Sequence, residues 1–444
     1  MRKNVERLFF FWSLLFLGLL LHLGYWQIVK ASQLMNSAAN KRSWLLAEKS
    51  KRGTIFDRNK QPIVWSEKGQ KRLYTSGLGL AQTIGYNSRL YGRSGLEDKY
   101  NEELAGLGRT SGDDLILTLD SELQRTANLA LGSRNGAVVV LQPKTGEILA
   151  LVSHPVFSLA NLAEEWKRLN QDIASPLLNR ALHGLYPPGS TMKPLIAAAA
   201  LETGTVKPEA VYNCRGYQII DGRKLSCNNG AVHGRINLEE ALTVSCNSYF
   251  SQLGVDLGQR KLDNYLHKLN WSDPEFLRLT KSRLADETRL SPNGLAERAI
   301  GQGKLQVTPF YMANLAAVIA NDGLLLRPYL VSGVEHEGRV KKQTEPAEYI
   351  RVFQPETAKA VKKMMLSVVE RGTGKAAFIP GLNAAGKTGS AQNPNGPAHA
   401  WFIGFAPADD PKIAVAVLVE HGGSGGGTAA PIAREIIAKA LDHK

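Results

Sequence analysis

The chain has 444 residues, 43% of them hydrophobic and 21% charged, a length that requires two or three structural units rather than one core. Its net charge of +14 suits an anionic membrane surface or a polyanionic wall. The basic residues are dispersed, and no zinc-finger spacing, RNA-binding signature or solenoid repeat occurs, which argues against nucleic acid as a partner.

A basic segment, MRKNVER, precedes an apolar run from Leu8 to Val29 that only His22 and Gln27 interrupt. A helix of that length covers about 33 Å, against a hydrocarbon core of about 30 Å. One membrane anchor is expected over residues 1–30. The basic flank places its N-terminus in the cytoplasm, and the remainder lies outside. A cleaved signal peptide is the other reading, but its apolar region is usually only about 7–15 residues.

Residues 31–110 are mixed and glycine-rich, with few long periodic segments. They read as a small pedestal between membrane and main domain, with Arg52, Asp57 and Arg58 expected in an ion-pair network joining the two. The main domain, 111–444, opens on LILTLD (Leu115–Asp120) and a helical SELQRTANLALG. GAVVVLQPKTGEILALVS follows as a hairpin turning at Pro143–Gly146. PLIAAAALETG is a buried helix that stops at Gly204.

Cys214 and Cys227 flank a stretch with an Asp221-Gly222 turn. A disulfide closing that hairpin is chemically permitted outside the cytoplasm; two unpaired thiols are the alternative. Cys246, the third cysteine, reads as a small packing residue. No Cys/His cluster shows metal-ligand spacing and H-E-x-x-H is absent, so no metal or cofactor is expected. LEEALTVSCNSYFSQLG is a helix pair or a kinked helix, and VTPFYMANLAAVIANDG is a further helix. AAGKTGSAQ, AWFIGFAPA and KIAVAVLVE are strand-like, and APIAREIIAKALD closes as a helix. Strands at both ends, with helices between, predict one antiparallel sheet flanked by helices plus a helical subdomain, an α+β fold.

Three short motifs carry the chemistry. In YPPGSTMKPL, Ser190 and Lys193 stand at i and i+3, on one face of a starting helix. Capping alone explains many such serines. A serine nucleophile, however, needs a base, and a lysine whose pKa falls can serve. Ser245-Cys246-Asn247 offers a hydroxyl and an amide around a small residue. Lys387-Thr388-Gly389-Ser390 sits in a strand, where the glycine is expected to let a substrate backbone approach and the other three suit a carboxylate. Each motif is weak alone; S-x-x-K, S-x-N and K-T-G in this order are strong together.

RGTIFDRN, NRALHGLYPPGSTMKPL, AIGQGKLQVTPFYMANLAAVIANDG and VVERGTGKAA carry the resemblance further. From about Arg52 to the C-terminus the chain resembles class B penicillin-binding proteins of the compact, short-pedestal type, monofunctional peptidoglycan D,D-transpeptidases. K-T-G-S stands where K-T-G-T is also common, a swap that keeps the hydroxyl. The resemblance implies the penicillin-binding/serine β-lactamase-like transpeptidase fold. It also implies two-step acyl transfer on D-Ala-D-Ala stem peptides, with Ser190 as nucleophile and a neutral Lys193 as base. Lys387 would keep Lys193 neutral, and Ser245 would pass a proton to the leaving D-Ala. Asn247 would hold the peptide, Thr388 and Ser390 with Lys387 would take the terminal carboxylate, and the backbone N–H groups of Ser190 and Ser390 would face the oxyanion.

β-Lactams would acylate Ser190. No glycan-polymerising domain is recognised, so a SEDS-type polymerase in the membrane is the implied partner. A D,D-carboxypeptidase, a β-lactamase-like hydrolase and a non-catalytic scaffold of a wall-synthesis complex are the rival readings. Gly422–Gly426, GGSGG, matches G-x-S-x-G formally. The acid and histidine that must follow could only be Asp442 and His443, at the very end, and the segment reads instead as a loop at the active-site rim.

Overall fold

The computed structural model describes residues 2–31, 50–67, 71–106, 109–270, 282–284, 289–394 and 396–442. Helix α1 (Arg2–Gly24) continues through a π-helical turn to Val29. It is long and apolar enough to cross a membrane, and none of it is buried against the chain.

The next strands are β1 (Ile55–Phe56), β2 (Pro62–Ser66), β3 (Arg72–Tyr74) and β4 (Asp114–Leu117). Helix α2 (Ser121–Leu131) starts at Asp120, whose carboxylate accepts the Glu122 and Leu123 N–H groups, the standard answer to unpaired donors at a helix start. The expected hairpin follows as β5 (Gly136–Leu141) and β6 (Ile148–His154). Helix α3 (Lys193–Glu202) is buried from Lys193 to Ala200.

A lobe of short strands comes next: β7 (Tyr212–Cys214), β8 (Tyr217–Ile220), β9 (Arg223–Ser226) and β10 (Gly234–Ile236). β8 and β9 form the hairpin whose turn is Asp221-Gly222. Both turn residues have positive φ, 48° and 74°, which explains the Asp-Gly pair. Helices α4 (Leu238–Thr243) and α5 (Asn247–Leu257) are the expected helix pair, broken at Val244–Cys246. Later elements that frame the site include α6 (Pro309–Ala320), β11 (Val331–His336), β12 (Arg339–Gln343), α7 (Pro355–Glu370), β13 (Ala385–Asn393), β14 (Gly396–Ala406), β15 (Ile413–Val419) and α8 (Ala430–Leu441).

The main sheet runs β13-β14-β15-β5-β6 and is antiparallel throughout. Both ends of the domain build it, as the strand pattern predicts. Both faces are covered. Ala137, Val139 and Leu141 of β5 join the core with α6, whose twelve residues are all buried. Val138 and Val140 point the other way, into the core shared with α2 and α8. This is the period-2 alternation of a strand with helices on both sides.

A second sheet has the order β12-β11-β4-β1-β2-β3. It combines strands from residues 55–74 with β4 and the hairpin at 331–343, so regions more than 250 residues apart in sequence share one sheet.

The single ion-pair network expected of Arg52, Asp57 and Arg58 does not form. Arg52 donates to Glu97 at 2.6 Å and Asn101 at 3.0 Å, and Arg72 donates to the same Glu97 at 2.7 Å. Asp57 accepts the Asn59 and Gln61 N–H groups in a tight turn, and reaches the Ser121 N–H at 3.4 Å. Arg58 pairs, among the described residues, with Glu147 at 3.4 Å on the surface. Glu97 is fully buried between two guanidinium groups. Their charges hold its carboxyl low against the opposing effect of burial. Glu97→Ala strands both cations in the interior and is expected to cost about 3–5 kcal/mol. Equilibrium chemical unfolding measures it; an unchanged midpoint refutes the pairing as a support of this unit.

Candidate active site

The turn that carries Ser190 is fastened residue by residue. Tyr186 exchanges two backbone hydrogen bonds with Val307, at 3.0 and 2.9 Å. Its hydroxyl donates to Glu420 at 2.6 Å, and Arg180 donates to the same carboxylate oxygen at 2.8 Å. Trp401 donates its indole N–H to the Pro187 carbonyl at 3.0 Å, and Thr191 its hydroxyl to the Pro188 carbonyl at 2.6 Å. The Gly189 N–H donates to the Gly301 carbonyl at 2.8 Å. Gly189 has φ +56° and Gly301 +72°, and a Cβ on Gly301 would overlap the Gly189 backbone. Ser190 then sits, half-buried, in a 3₁₀ turn (Gly189–Met192) that runs directly into α3.

Lys193 and Lys387 are both fully buried. They meet at one hydroxyl. Lys193 Nζ lies 2.8 Å from the Ser245 carbonyl, 2.8 Å from Asn247 Oδ1 and 3.2 Å from Ser245 Oγ. Lys387 Nζ lies 3.0 Å from the same Ser245 Oγ and 2.9 Å from the Thr388 carbonyl. Ser245 has φ +59°, a conformation that non-glycine residues rarely adopt. The break between α4 and α5 holds it there, with the hydroxyl turned inward between the two amines.

Burial pulls the Lys193 pKa down to about 7, while the nearby Cys246 and Cys227 oppose that fall. Lys387 is also driven well below the ordinary lysine value, by burial first and then by the Lys193 charge. Loss of solvent is the first cause of both shifts, and the repulsion between the two amines is mutual.

Strand β13 supplies the third motif. The Thr388 hydroxyl donates to Thr373 Oγ1 at 2.8 Å, and exposed Ser390 accepts the Gly425 N–H at 3.2 Å. Gly425 belongs to the glycine-rich segment read from sequence as a rim loop, and it packs directly on Gly389. Ser190, Lys193, Ser245, Asn247, Lys387, Thr388, Gly389 and Ser390 thus come from three separate stretches of chain and converge beside β13.

This arrangement agrees with the comparisons to known proteins. The penicillin binding protein transpeptidase domain matches residues 136–438. The chain belongs to the penicillin-binding protein transpeptidases. Within them it is a class B peptidoglycan D,D-transpeptidase, a serine acyltransferase with the fold expected from its motifs. It is similar to the peptidoglycan D,D-transpeptidase PbpA of Mycolicibacterium smegmatis, with 34% identity over 83% of this chain and 84% of that protein. It is also similar to the transpeptidase MrdA of Haemophilus influenzae, with 32% identity over 81% of this chain and 62% of that protein. Among solved structures, the imipenem acyl-enzyme of penicillin-binding protein A from M. tuberculosis superposes with a TM-score of 0.83. The two share 31% identity, and the match covers 89% of this chain and all of that one. A transpeptidase domain from Eggerthella lenta gives 0.81 at 34% identity, over 89% of this chain and 99% of that one.

Several residues of the transpeptidase site escape sequence reasoning. Thr373, Gly301, Trp401 and Glu420 all brace the site from distant segments. Gly301 and Thr373 lie in AIGQG and ERGTG, segments with a family pattern but no chemistry of their own. The Cys/His reading also needs correction. All three cysteines are free thiols, so no disulfide closes the hairpin: Cys214 and Cys227 stand 3.8 Å apart at sulfur. Although no spacing suggests it, the fold gathers Cys214, Cys227, His233 and Cys246 into one cluster. Cys246 is fully buried in the main hydrophobic core, as a small packing residue, and also stands in this cluster.

Gly389 has a packing role besides the expected one of admitting substrate backbone. A Cβ there would meet Thr191 Cγ2 at 2.9 Å, the Pro188 carbonyl at 3.0 Å and the Thr191 nitrogen at 3.1 Å. The glycine makes room for the Ser190 turn. Gly389→Ala is expected to shift that turn and slow penicillin acylation about 10²-fold, with the thermal midpoint nearly unchanged. Stopped-flow acylation with a fluorescent penicillin measures it; wild-type rates disprove the packing argument.

Proposed function

We propose that this transpeptidase cross-links stem peptides through an acyl-enzyme on Ser190. Ser190 Oγ attacks the penultimate D-Ala carbonyl and Lys193 accepts its proton. The observation that carries this reading is the disposition of Lys193 Nζ. As a neutral amine it has two N–H donors, and two acceptors stand at 2.8 Å. Its lone pair is thereby left for a proton. Burial supplies the neutral form near pH 7. Ser245 then relays the proton toward the departing D-Ala, since its hydroxyl touches both amines.

Asn247 holds the donor peptide. Lys387, Thr388 and Ser390 receive its terminal carboxylate, a charge that favours the protonated form of Lys387. Strand β13 is an edge of the main sheet, so an extended peptide can pair along its free side. That geometry supports the backbone N–H groups of Ser190 and Ser390 as the oxyanion donors. The amine of a second stem peptide then resolves the acyl-enzyme and forms the cross-link. β-Lactams imitate the donor and stop at the first step.

The same reading assigns residues 1–30 to a single-pass anchor with its N-terminus in the cytoplasm. Residues 31–110 form the pedestal and 111–444 the extracytoplasmic catalytic domain. A SEDS-type glycan polymerase would supply the glycan, contacted through anchor and pedestal. Pedestal substitutions around Asp57 that leave complex formation and polymerase stimulation intact would dismiss that partner.

Intact-mass spectrometry after incubation with a penicillin is the direct test. Wild type should carry one persistent adduct on the Ser190 peptide, and Ser190→Ala none. Rapid release of hydrolysed drug would instead make the chain a hydrolase. Lys193→Met should slow acylation about 10²–10⁴-fold. The neutral amine is populated above the Lys193 pKa. The acylation rate should therefore rise about tenfold per pH unit below about 7 and level off above it. A flat profile from pH 5 to 9 rules Lys193 out as the base.

A further inference from the structure

Asn247 has a partner that the catalytic scheme does not use. Its Oδ1 faces Lys193 Nζ at 2.8 Å, while its Nδ2 donates to the Ser226 carbonyl at 3.1 Å, at a solvent-exposed position. Lys193 and Ser245 separate Asn247 from Lys387 of β13, so Asn247 lines the side of the site opposite that strand. Ser226 is the last residue of β9. The wall that Asn247 begins is therefore continued by the β8–β9 hairpin.

That hairpin has two unlike faces. On the inner one, Gln218 bonds Tyr212 and Gln252 of α5, each at 2.9 Å, and Ile220 and Leu225 are buried with Ala296. On the outer one, Tyr217, Ile219, Lys224 and Ser226 are exposed, as strand alternation requires. The register sets Tyr217 opposite Ser226 and Ile219 opposite Lys224. Lys224 does not stay beside its direct neighbour. Its Nζ sits 4.4 Å from the centroid of the Tyr217 ring, on the diagonal, so the ammonium leans toward the Ser226 end of the hairpin. Two residues of strand cover about 7 Å, and the lean shortens that separation. The ring face holds the cation without neutralising it. The adjacent Arg223 is paired with Glu297 at 2.5 Å, whereas among the described residues no carboxylate pairs with Lys224. The lobe, residues 207–236, holds five Lys or Arg against Glu209 and Asp221, a field that favours anions.

We propose that Lys224, held over Tyr217, is a specificity residue of the donor site and receives a carboxylate of the stem peptide upstream of its D-Ala-D-Ala end. The proposal deepens the catalytic reading above and rests on it for the course of the peptide. The terminal carboxylate lies at Lys387, Thr388 and Ser390, and Asn247 holds the backbone before the scissile bond. The chain that continues from Asn247 away from Lys387 passes Ser226 and Tyr217. One or two further residues, at about 3.3–3.6 Å each, bring a side group to the Lys224 ammonium. A stem peptide can carry a carboxylate there on its γ-linked glutamate or on a diaminopimelate residue. Fastening of the inner face on α5 fixes the cation relative to Asn247, which is what a specificity contact needs.

The test uses the full-length chain in detergent with Ser190→Ala, so that binding is read without turnover. Two pairs of synthetic pentapeptides ending in D-Ala-D-Ala are titrated by saturation-transfer NMR. One pair has the glutamate α-carboxyl free or amidated, the other the diaminopimelate carboxyl free or amidated. In at least one pair the free acid should bind about 5–10-fold more tightly than its amide, and that pair identifies the carboxylate. Lys224→Ala should abolish the preference, Lys224→Glu reverse it and Lys224→Arg keep it. Tyr217→Phe should keep it and Tyr217→Ala weaken it, because the ring face alone places the cation. With Ser190 intact, benzylpenicillin, whose acyl chain is neutral, should acylate every Lys224 variant at the wild-type rate. Equal binding of acid and amide in both pairs, or a preference that survives Lys224→Ala, overturns the subsite. So does a Lys224→Ala variant that slows penicillin acylation as much as it weakens peptide binding, since that reports a displaced Asn247 and no carboxylate contact. A wild-type chain without a Ser190 adduct would count against the catalytic reading instead, which the binding titrations do not use.

Discussion

The contact on which the active site depends is the Ser245 hydroxyl held between two buried lysines. Taking an ammonium out of water costs several kcal/mol even after relaxation. The fold meets that cost in two ways. It offers each amine close oxygen acceptors, and it lets desolvation remove charge, which leaves Lys193 near neutrality. The same choice that would weaken an ordinary core thus creates a base of useful strength. It also requires Ser245 to adopt a left-handed backbone, a strain of about 1–3 kcal/mol, which the ends of α4 and α5 must sustain.

Around that contact the architecture is one of restraint. The nucleophile turn is tied at Tyr186, Pro187 and Gly189 to Glu420, Trp401 and the 301–307 segment, and is closed on itself by the Thr191 hydroxyl on the Pro188 carbonyl. Glycine at 301 and 389 allows backbone to approach where any side chain would intrude. Burial of α6 beneath the main sheet and of α3 behind Ser190 gives these ties something rigid to pull against. The edge strand β13 keeps one side free, and that side faces the proposed substrate path.

The hairpin lobe extends the same logic outward. A loop strained at Ser245 needs an external hold, and Cys246 ties it to three other side chains in the lobe.

Much of this protein was legible in its sequence. The apolar run, the hairpins, the buried helices and the order of the main strands follow from local periodicity and turn chemistry, which act over a few residues. The three catalytic motifs were readable because each is contiguous. What the sequence could not convey were relations between distant segments. The joining of residues 55–74 to 331–343 in one sheet, the split of the supposed Arg52–Asp57–Arg58 network and the bracing by Thr373, Gly301 and Glu420 all depend on contacts across dozens to hundreds of residues. The Cys/His cluster was invisible for the same reason: its ligands are spread over 33 residues, from Cys214 to Cys246, and only the folding of the lobe brings them together. Local chemistry therefore determined which groups are present and what reaction they suit. Tertiary structure decided which of them touch, because proximity and desolvation, unlike propensity, are properties of the folded chain.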